Sequence, residues 1–122
     1  MNNSISEHKE QAALIKAWRA YAPLHGIDER LLFAIPNGGK RDYRTAKILQ
    51  SEGVRSGIPD LMLAIPKGMH HGLFIEMKKK KGGVVSDAQR EMMDILNALG
   101  YKAVICHGCD DAFACIISYL EC

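Results

Sequence analysis

Asp60 closes the segment Gly57-Ile58-Pro59-Asp60, and Glu76 and Lys78 stand one residue apart in Leu73-Phe74-Ile75-Glu76-Met77-Lys78. Between them, Leu61 to Ile65 and Gly72 to Met77 read as two strands joined by the turn Pro66-Lys67-Gly68-Met69-His70-His71. With the loop centred on Gly68, position 60 lies eight residues before the centre and position 76 eight after it. Asp60 and Glu76 then face each other across a hairpin, unless a bulge shifts the register by one. Side chains alternate along a strand, so Leu73, Ile75 and Met77 turn to the core while Glu76 and Lys78 share the other face, about 7 Å apart. Two carboxylates directly opposite on a sheet repel. A divalent cation removes the repulsion, and Mg²⁺ is held by one or two carboxylates plus phosphate oxygens. A lysine beside them can stabilise charge developing on the phosphate or position an attacking water. An acid, an acid and a lysine so placed suit phosphodiester hydrolysis. Spacing alone leaves a second reading open, an edge hairpin with a half-solvated face that carries surface ion pairs.

The remaining elements must hold that hairpin. Residues 7–22 read as a helix, with Ala13, Leu14, Ala17, Trp18 and Tyr21 at helical spacing and Pro23 at its end. Leu31 to Ile35 is a short strand closed by Pro36-Asn37-Gly38-Gly39, and 42–52 a second helix stopped by Gly53. Ser86 caps a helix to about Leu99, with Gly100 as its stop. Ala103 to Cys106 is a last strand and 110–120 a last helix. The order α-β-α-β-β-α-β-α predicts an α/β fold, a mixed β-sheet flanked by helices.

The chain has 122 residues, 48% hydrophobic and 25% charged, which suits one globular domain over 1–122 and excludes disorder and collagen-like sequence. No apolar run reaches the roughly 18 residues of a membrane span, and MNNSISEHKEQ has no signal-peptide pattern. A cytoplasmic location with reduced cysteines is expected. Net charge is only +2, but it is uneven. Lys40, Arg41, Arg44, Lys47 and Arg55 form one basic group, and Lys78 to Lys81 another. Either can hold a phosphate backbone or simply be solvated surface.

Taken together, Asn37-Gly38-Gly39, Gly57-Ile58-Pro59-Asp60-Leu61, Gly72 to Lys78, Ser86-x-x-Gln89 and Gly100-Tyr101 resemble the VRR-NUC family. These are the virus-type replication and repair nucleases of the PD-(D/E)xK superfamily. The resemblance runs from about Glu7 to Leu120 and implies a restriction-endonuclease-like fold. It implies that Asp60 and Glu76 bind metal with the Met77 carbonyl, that Lys78 acts on the water or the scissile phosphate, and that Gln89 approaches the site. The family also places a metal-binding glutamate on its first helix. Glu7 and Glu10 both qualify, one turn apart; Glu10 is favoured because it directly precedes the apolar stripe. The backbone of Asn37, Gly38 and Gly39, next to Lys40 and Arg41, is placed to approach nucleic acid, or else forms only a tight turn.

Several other signals carry less. Gly38-Gly39-Lys40 lacks the rest of a phosphate-binding loop. Cys106 and Cys109 make one CxxC, whereas structural zinc takes four ligands. His70 and His71 read as loop-surface residues, and Trp18 as core. The expectation is a metal-dependent, structure-specific DNA endonuclease using Mg²⁺, with Mn²⁺ as substitute, on branched DNA such as four-way (Holliday) junctions. The rivals are a catalytically silent nucleic-acid-binding module and a flap or duplex nuclease of restriction type. Symmetric junction cutting needs two sites, which a homodimer supplies. The last helix (Ala112, Phe113, Cys115, Ile116, Ile117, Tyr119, Leu120), with Met92 and Met93, offers an apolar surface for that, or for the chain's own core.

Overall fold

The computed structural model describes residues 3–36 and 42–122. The expected elements occur in the expected order, with one 3-10 turn added at Glu29–Leu31. Helix α1 spans Asn3–Leu24. Leu14, Trp18 and Ala22 follow each other at four-residue spacing and are fully buried, since that spacing sets them on one face. Ala13, expected in this stripe, is exposed because the buried line begins one residue later. Trp18 is core, and its indole N–H donates to the Glu29 carbonyl at 2.8 Å.

Strands β1 (Leu32–Ala34), β2 (Leu61–Leu63), β3 (Leu73–Lys78) and β4 (Lys102–His107) form one sheet in that order. The β1/β2 and β2/β3 pairs are antiparallel and β3/β4 is parallel. Antiparallel strands tolerate short connections, whereas a parallel pair needs a crossover, supplied here by helix α3 (Asp87–Ala98). The β2/β3 ladder pairs Leu61 with Ile75. The next pair outward is Asp60 with Glu76, the opposition that the loop centred on Gly68 implies.

Leu73, Ile75 and Met77 join Leu14, Trp18, Ala112, Ile116 and Tyr119 in the core between the sheet, α1 and helix α4 (Cys109–Leu120). The second reading left open by spacing makes the other sheet face half solvated, with Glu76 and Lys78 as surface charges. The structure corrects this. Helix α3 lies on that face, with Met93 buried and Asn97 hydrogen-bonded to the N–H and C=O of Ala103. Glu76 is 2% exposed and Lys78 6%. The reason is topological: a parallel connection carries its helix across the face of the sheet.

The apolar arc of α4 is largely spent inside the chain. Ala112, Ile116 and Tyr119 are fully buried, and Phe113, Cys115 and Leu120 pack against the same core. Phe113 meets Tyr21 edge-on at 5.6 Å, and the Tyr119 hydroxyl donates to the Ile65 carbonyl at 2.6 Å. Helix α2 (Tyr43–Ser51) is capped by Asp42, whose carboxylate accepts from Thr45 N–H at 2.8 Å. Asn37, Gly38, Gly39, Lys40 and Arg41 lie outside the described residues. Among the described residues no helix is long and apolar enough to cross a membrane.

Candidate active site

Asp60 is held from both sides. Its carbonyl accepts from Ile35 N–H at 2.8 Å, which extends the β1/β2 pairing by one residue. Its carboxylate Oδ2 accepts from Met77 N–H at 2.7 Å. The segment before it is pinned as well: Pro59 is fully buried, and Gly57 has φ +86. A Cβ on Gly57 would meet the backbone and Cβ of Ala88 at 3.1 Å, so only glycine lets this segment lie against the first turn of α3.

Gln89 joins the helix to the acids. It is the third residue of α3, and its amide completes a capping box with Ser86. Gln89 Oε1 accepts from Ser86 N–H at 2.9 Å and from Lys78 Nζ at 3.2 Å. Gln89 Nε2 donates to Glu76 Oε2 at 3.0 Å. Lys78 Nζ also stands 3.5 Å from Glu76 Oε2. One glutamine side chain therefore caps a helix, orients the lysine and fixes one oxygen of the glutamate. The capping box is legible in Ser86-x-x-Gln89; its second use depends on α3 landing beside β3.

Glu76 Oε1 is buried with no hydrogen-bond partner. Burial, and next the Asp60 carboxylate beside it, push the Glu76 carboxyl up from its ordinary 4.5 to about 8, against the opposing pull of Lys78. A buried acceptor without a donor is costly, and a buried carboxyl whose ionisation burial and a neighbouring carboxylate oppose is a group that a cation relieves. The residues thus fit a divalent cation such as Mg²⁺. Backbone N–H and C=O of one strand residue point to the same side; Met77 gives its N–H to Asp60, so its carbonyl is turned to that side too. Among the described residues no group of three or more His, Cys, Asp or Glu side chains could hold a metal. Two carboxylates remain, which is the number Mg²⁺ takes when substrate oxygens complete its shell.

The structure does not bring Glu10 into that group. Glu10 Oε1 accepts from Cys109 N–H at 2.7 Å, at the first turn of α4. The N-cap there is Gly108, which has no side chain to cap with, so α1 supplies the acceptor for an otherwise orphaned amide. A glycine at a helix start was the available signal for a distant cap. Glu10 still lies at the same sheet end, because Gly108 N–H donates to the Lys78 carbonyl at 2.9 Å. The N-termini of α3 and α4 both meet this end, where positive helix-dipole ends favour anions. Of the lysine run, Lys78 turns inward while Lys80 and Lys81 are exposed. In the other basic group, Arg44, Lys47 and Arg55 are exposed around α2. His71 is exposed and His70 half-buried, at the turn as expected. Cys106 is buried against Cys115 of α4 and forms no metal cluster with Cys109.

Comparison with known proteins agrees with this geometry. The family model of the VRR-NUC domain matches residues 5–110. A solved structure titled "VRR_NUC domain protein" superposes with a TM-score of 0.81, at 28% identity, covering 95% of this chain and 88% of that one. No curated protein matches the sequence. With the family match spanning most of the chain and the same mixed sheet and flanking helices in a solved relative, this chain belongs to the VRR-NUC domain family of nucleases.

Proposed function

We propose that this nuclease domain is a Mg²⁺-dependent endonuclease that hydrolyses phosphodiester bonds in branched DNA, four-way junctions among them, as a homodimer. Mn²⁺ substitutes for Mg²⁺ in this reading, and the work is DNA repair or recombination in the cytoplasm. The observation that carries it is Glu76 Oε1, a buried acceptor without a donor, beside Asp60 and within reach of an ordered lysine. A catalytically silent binding module has no use for that arrangement, which is unfavourable until a cation arrives.

Asp60 and Glu76 would hold the cation with the Met77 carbonyl, and Glu10 is the further candidate from α1. When bound, the ion supplies Lewis-acid stabilisation and lowers the pKa of a coordinated water. The chain's own groups do the rest. Gln89 keeps Glu76 Oε2 and Lys78 Nζ in fixed positions, so little reorganisation is needed as charge develops. Lys78 offers its ammonium to a non-bridging phosphate oxygen or to the attacking water. Exposed Lys80 and Lys81 hold the flanking backbone electrostatically. The loop Asn37-Gly38-Gly39-Lys40-Arg41 is proposed to contact the nucleic acid as well. For the dimer, support comes from the two-fold symmetry of a junction and from the exposed apolar side chain of Leu99 at the C-terminal end of α3, since α4 is mostly buried in its own core.

The test is a cleavage panel of duplex, flap, splayed-arm and four-way-junction DNA with Mg²⁺, Mn²⁺ or chelator, alongside light scattering over a micromolar dilution series. Metal-dependent cutting, fastest on branched substrates, with a mass near twice the monomer, is expected. Cutting that persists in chelator would overturn the metal reading. A monomer active on flaps and inert on junctions would overturn the junction and dimer readings.

A further inference from the structure

Beside the acids, between α2 and α3, the structure holds a cavity of about 460 Å³ that the nuclease chemistry does not use. Val54, Met92 and Ile95 give it an apolar part of its lining, and Gln50, Arg55 and Glu91 a polar and charged part. Ile95 is 45% exposed, so the apolar wall is open to solvent. The Gln50, Arg55 and Glu91 side chains make no hydrogen bond or ion pair with any described residue.

We propose that this cavity takes an unpaired nucleobase of the DNA substrate. The size lies within the roughly 300–1,000 Å³ of small-molecule sites, and the lining is shared between apolar and polar side chains. The charge pattern selects among occupants. A phosphate would be drawn to Arg55 but repelled by Glu91, and an aliphatic ligand would leave both charges unanswered. A base is neutral and flat. Its face suits Met92, Ile95 and the Arg55 guanidinium plane, and its edge carries both donors and acceptors for Glu91 and Gln50.

Position gives the cavity its meaning. Ala88, in its wall, adjoins Gln89 and touches Gly57. Ser56, also lining it, lies four residues before Asp60, a span of at most about 14 Å. A base seated there belongs to a nucleotide within a few of the bond being cut. Flaps and splayed arms offer such bases freely, whereas an intact duplex or the paired arms of a four-way junction must first unstack one, at a cost. The cavity thereby favours branched DNA that carries a single-stranded segment over continuous duplex DNA. The inference rests on the nuclease reading and specifies how that site selects its substrate.

An abasic scan tests it. One nucleotide at a time around the cut position of a flap substrate is replaced by an abasic residue, and kcat/KM is measured with Mg²⁺ for the wild type, Arg55→Ala and Met92→Ala. Neither side chain belongs to the buried core cluster, and melting curves check that the variants fold. In the wild type one position should lose about tenfold, within what stacking of one base contributes. Each variant should lose a similar factor on the intact substrate and nothing further on the abasic one, because partners in one contact are not additive. Cleavage that is insensitive to every abasic position, or losses that multiply, would overturn the cavity while leaving the nuclease reading intact. No cleavage of any DNA would overturn the nuclease reading, and the inference with it.

Discussion

Replacing Glu76 by Gln should kill cleavage and, without metal, make the protein more stable. Burial and the neighbouring Asp60 hold the native Glu76 carboxyl at about 8, against an ordinary 4.5. A carboxyl raised in this way binds its proton more tightly in the native state than in the unfolded chain. From about pH 4.5 to about pH 8 the native state therefore carries more protons, and stability falls as pH rises through that window. Fully converted at 1.36 kcal/mol per unit, the shift sets a ceiling of roughly 5 kcal/mol. The Lys78 attraction is already contained in that value, and relaxation around the site reduces the cost to about 2 kcal/mol, that of an uncompensated buried polar contact. Glutamine keeps an oxygen for Gln89 Nε2 and Lys78, and presents an amide N–H to Asp60 in place of a repelling oxygen. A gain of about 2 kcal/mol corresponds to a melting-temperature rise of roughly 6–10 °C for a domain of this size. Circular-dichroism melts in chelator at about pH 5, 6, 7 and 8 read it. The difference between Glu76→Gln and wild type should be small at about pH 5 and largest at about pH 8. Added Mg²⁺ should raise the wild type and leave the variant nearly unchanged, since a ligand stabilises only what binds it. A variant less stable than wild type at about pH 8, or a difference flat with pH, would refute the account of a Glu76 carboxyl opposed by burial and by Asp60.

Three further outcomes are expected. Gln89→Ala removes the capping box and leaves Lys78 Nζ and Glu76 Oε2 each short of a partner, so it should cost about 2–4 kcal/mol in urea unfolding and slow cleavage at least tenfold; near-neutral unfolding would show that Gln89 supports neither. Glu10→Gln should raise the Mg²⁺ needed for half-maximal cleavage while sparing the melting temperature, because glutamine still accepts from Cys109 N–H, whereas Glu7→Gln should be neutral in both; identical metal titrations for the two would restrict Glu10 to capping α4. Gly57→Ala forces a side chain into φ +86 and 3.1 Å from Ala88, so it should destabilise by about 1–3 kcal/mol and reduce cleavage as α3 is pushed off the acids; wild-type melting and activity would contradict the close approach.

Local signals carried much of this molecule. The hairpin register was legible because Gly68 centres a symmetric loop and the apolar residues alternate, and the α3 start because Ser86 and Gln89 spell a capping box. What stayed hidden was set by contacts distant in sequence. Glu76 and Lys78 look like surface charges along their own strand; they are buried because the crossover brings α3 over them. Glu10 lies 99 residues from Cys109, so no spacing announces that one caps the other. The arc of α4 looked wider than a core needs because its partners, Leu14, Trp18 and Tyr21, sit on a helix at the far end of the sequence. The cavity between α2 and α3 belongs to no motif: its lining comes from two stretches about forty residues apart.

The double service of Gln89 ties catalytic competence to one turn of helix. If the first turn of α3 frays, the amide that holds Glu76 and Lys78 leaves with it, so the ready site lasts only as long as that turn stays wound. Local opening at a helix end is easier than global unfolding. Heat should therefore silence the enzyme several degrees before the β-sheet melts, and the backbone amides of Gln89 and Arg90 should exchange their hydrogens on the same schedule as activity fades.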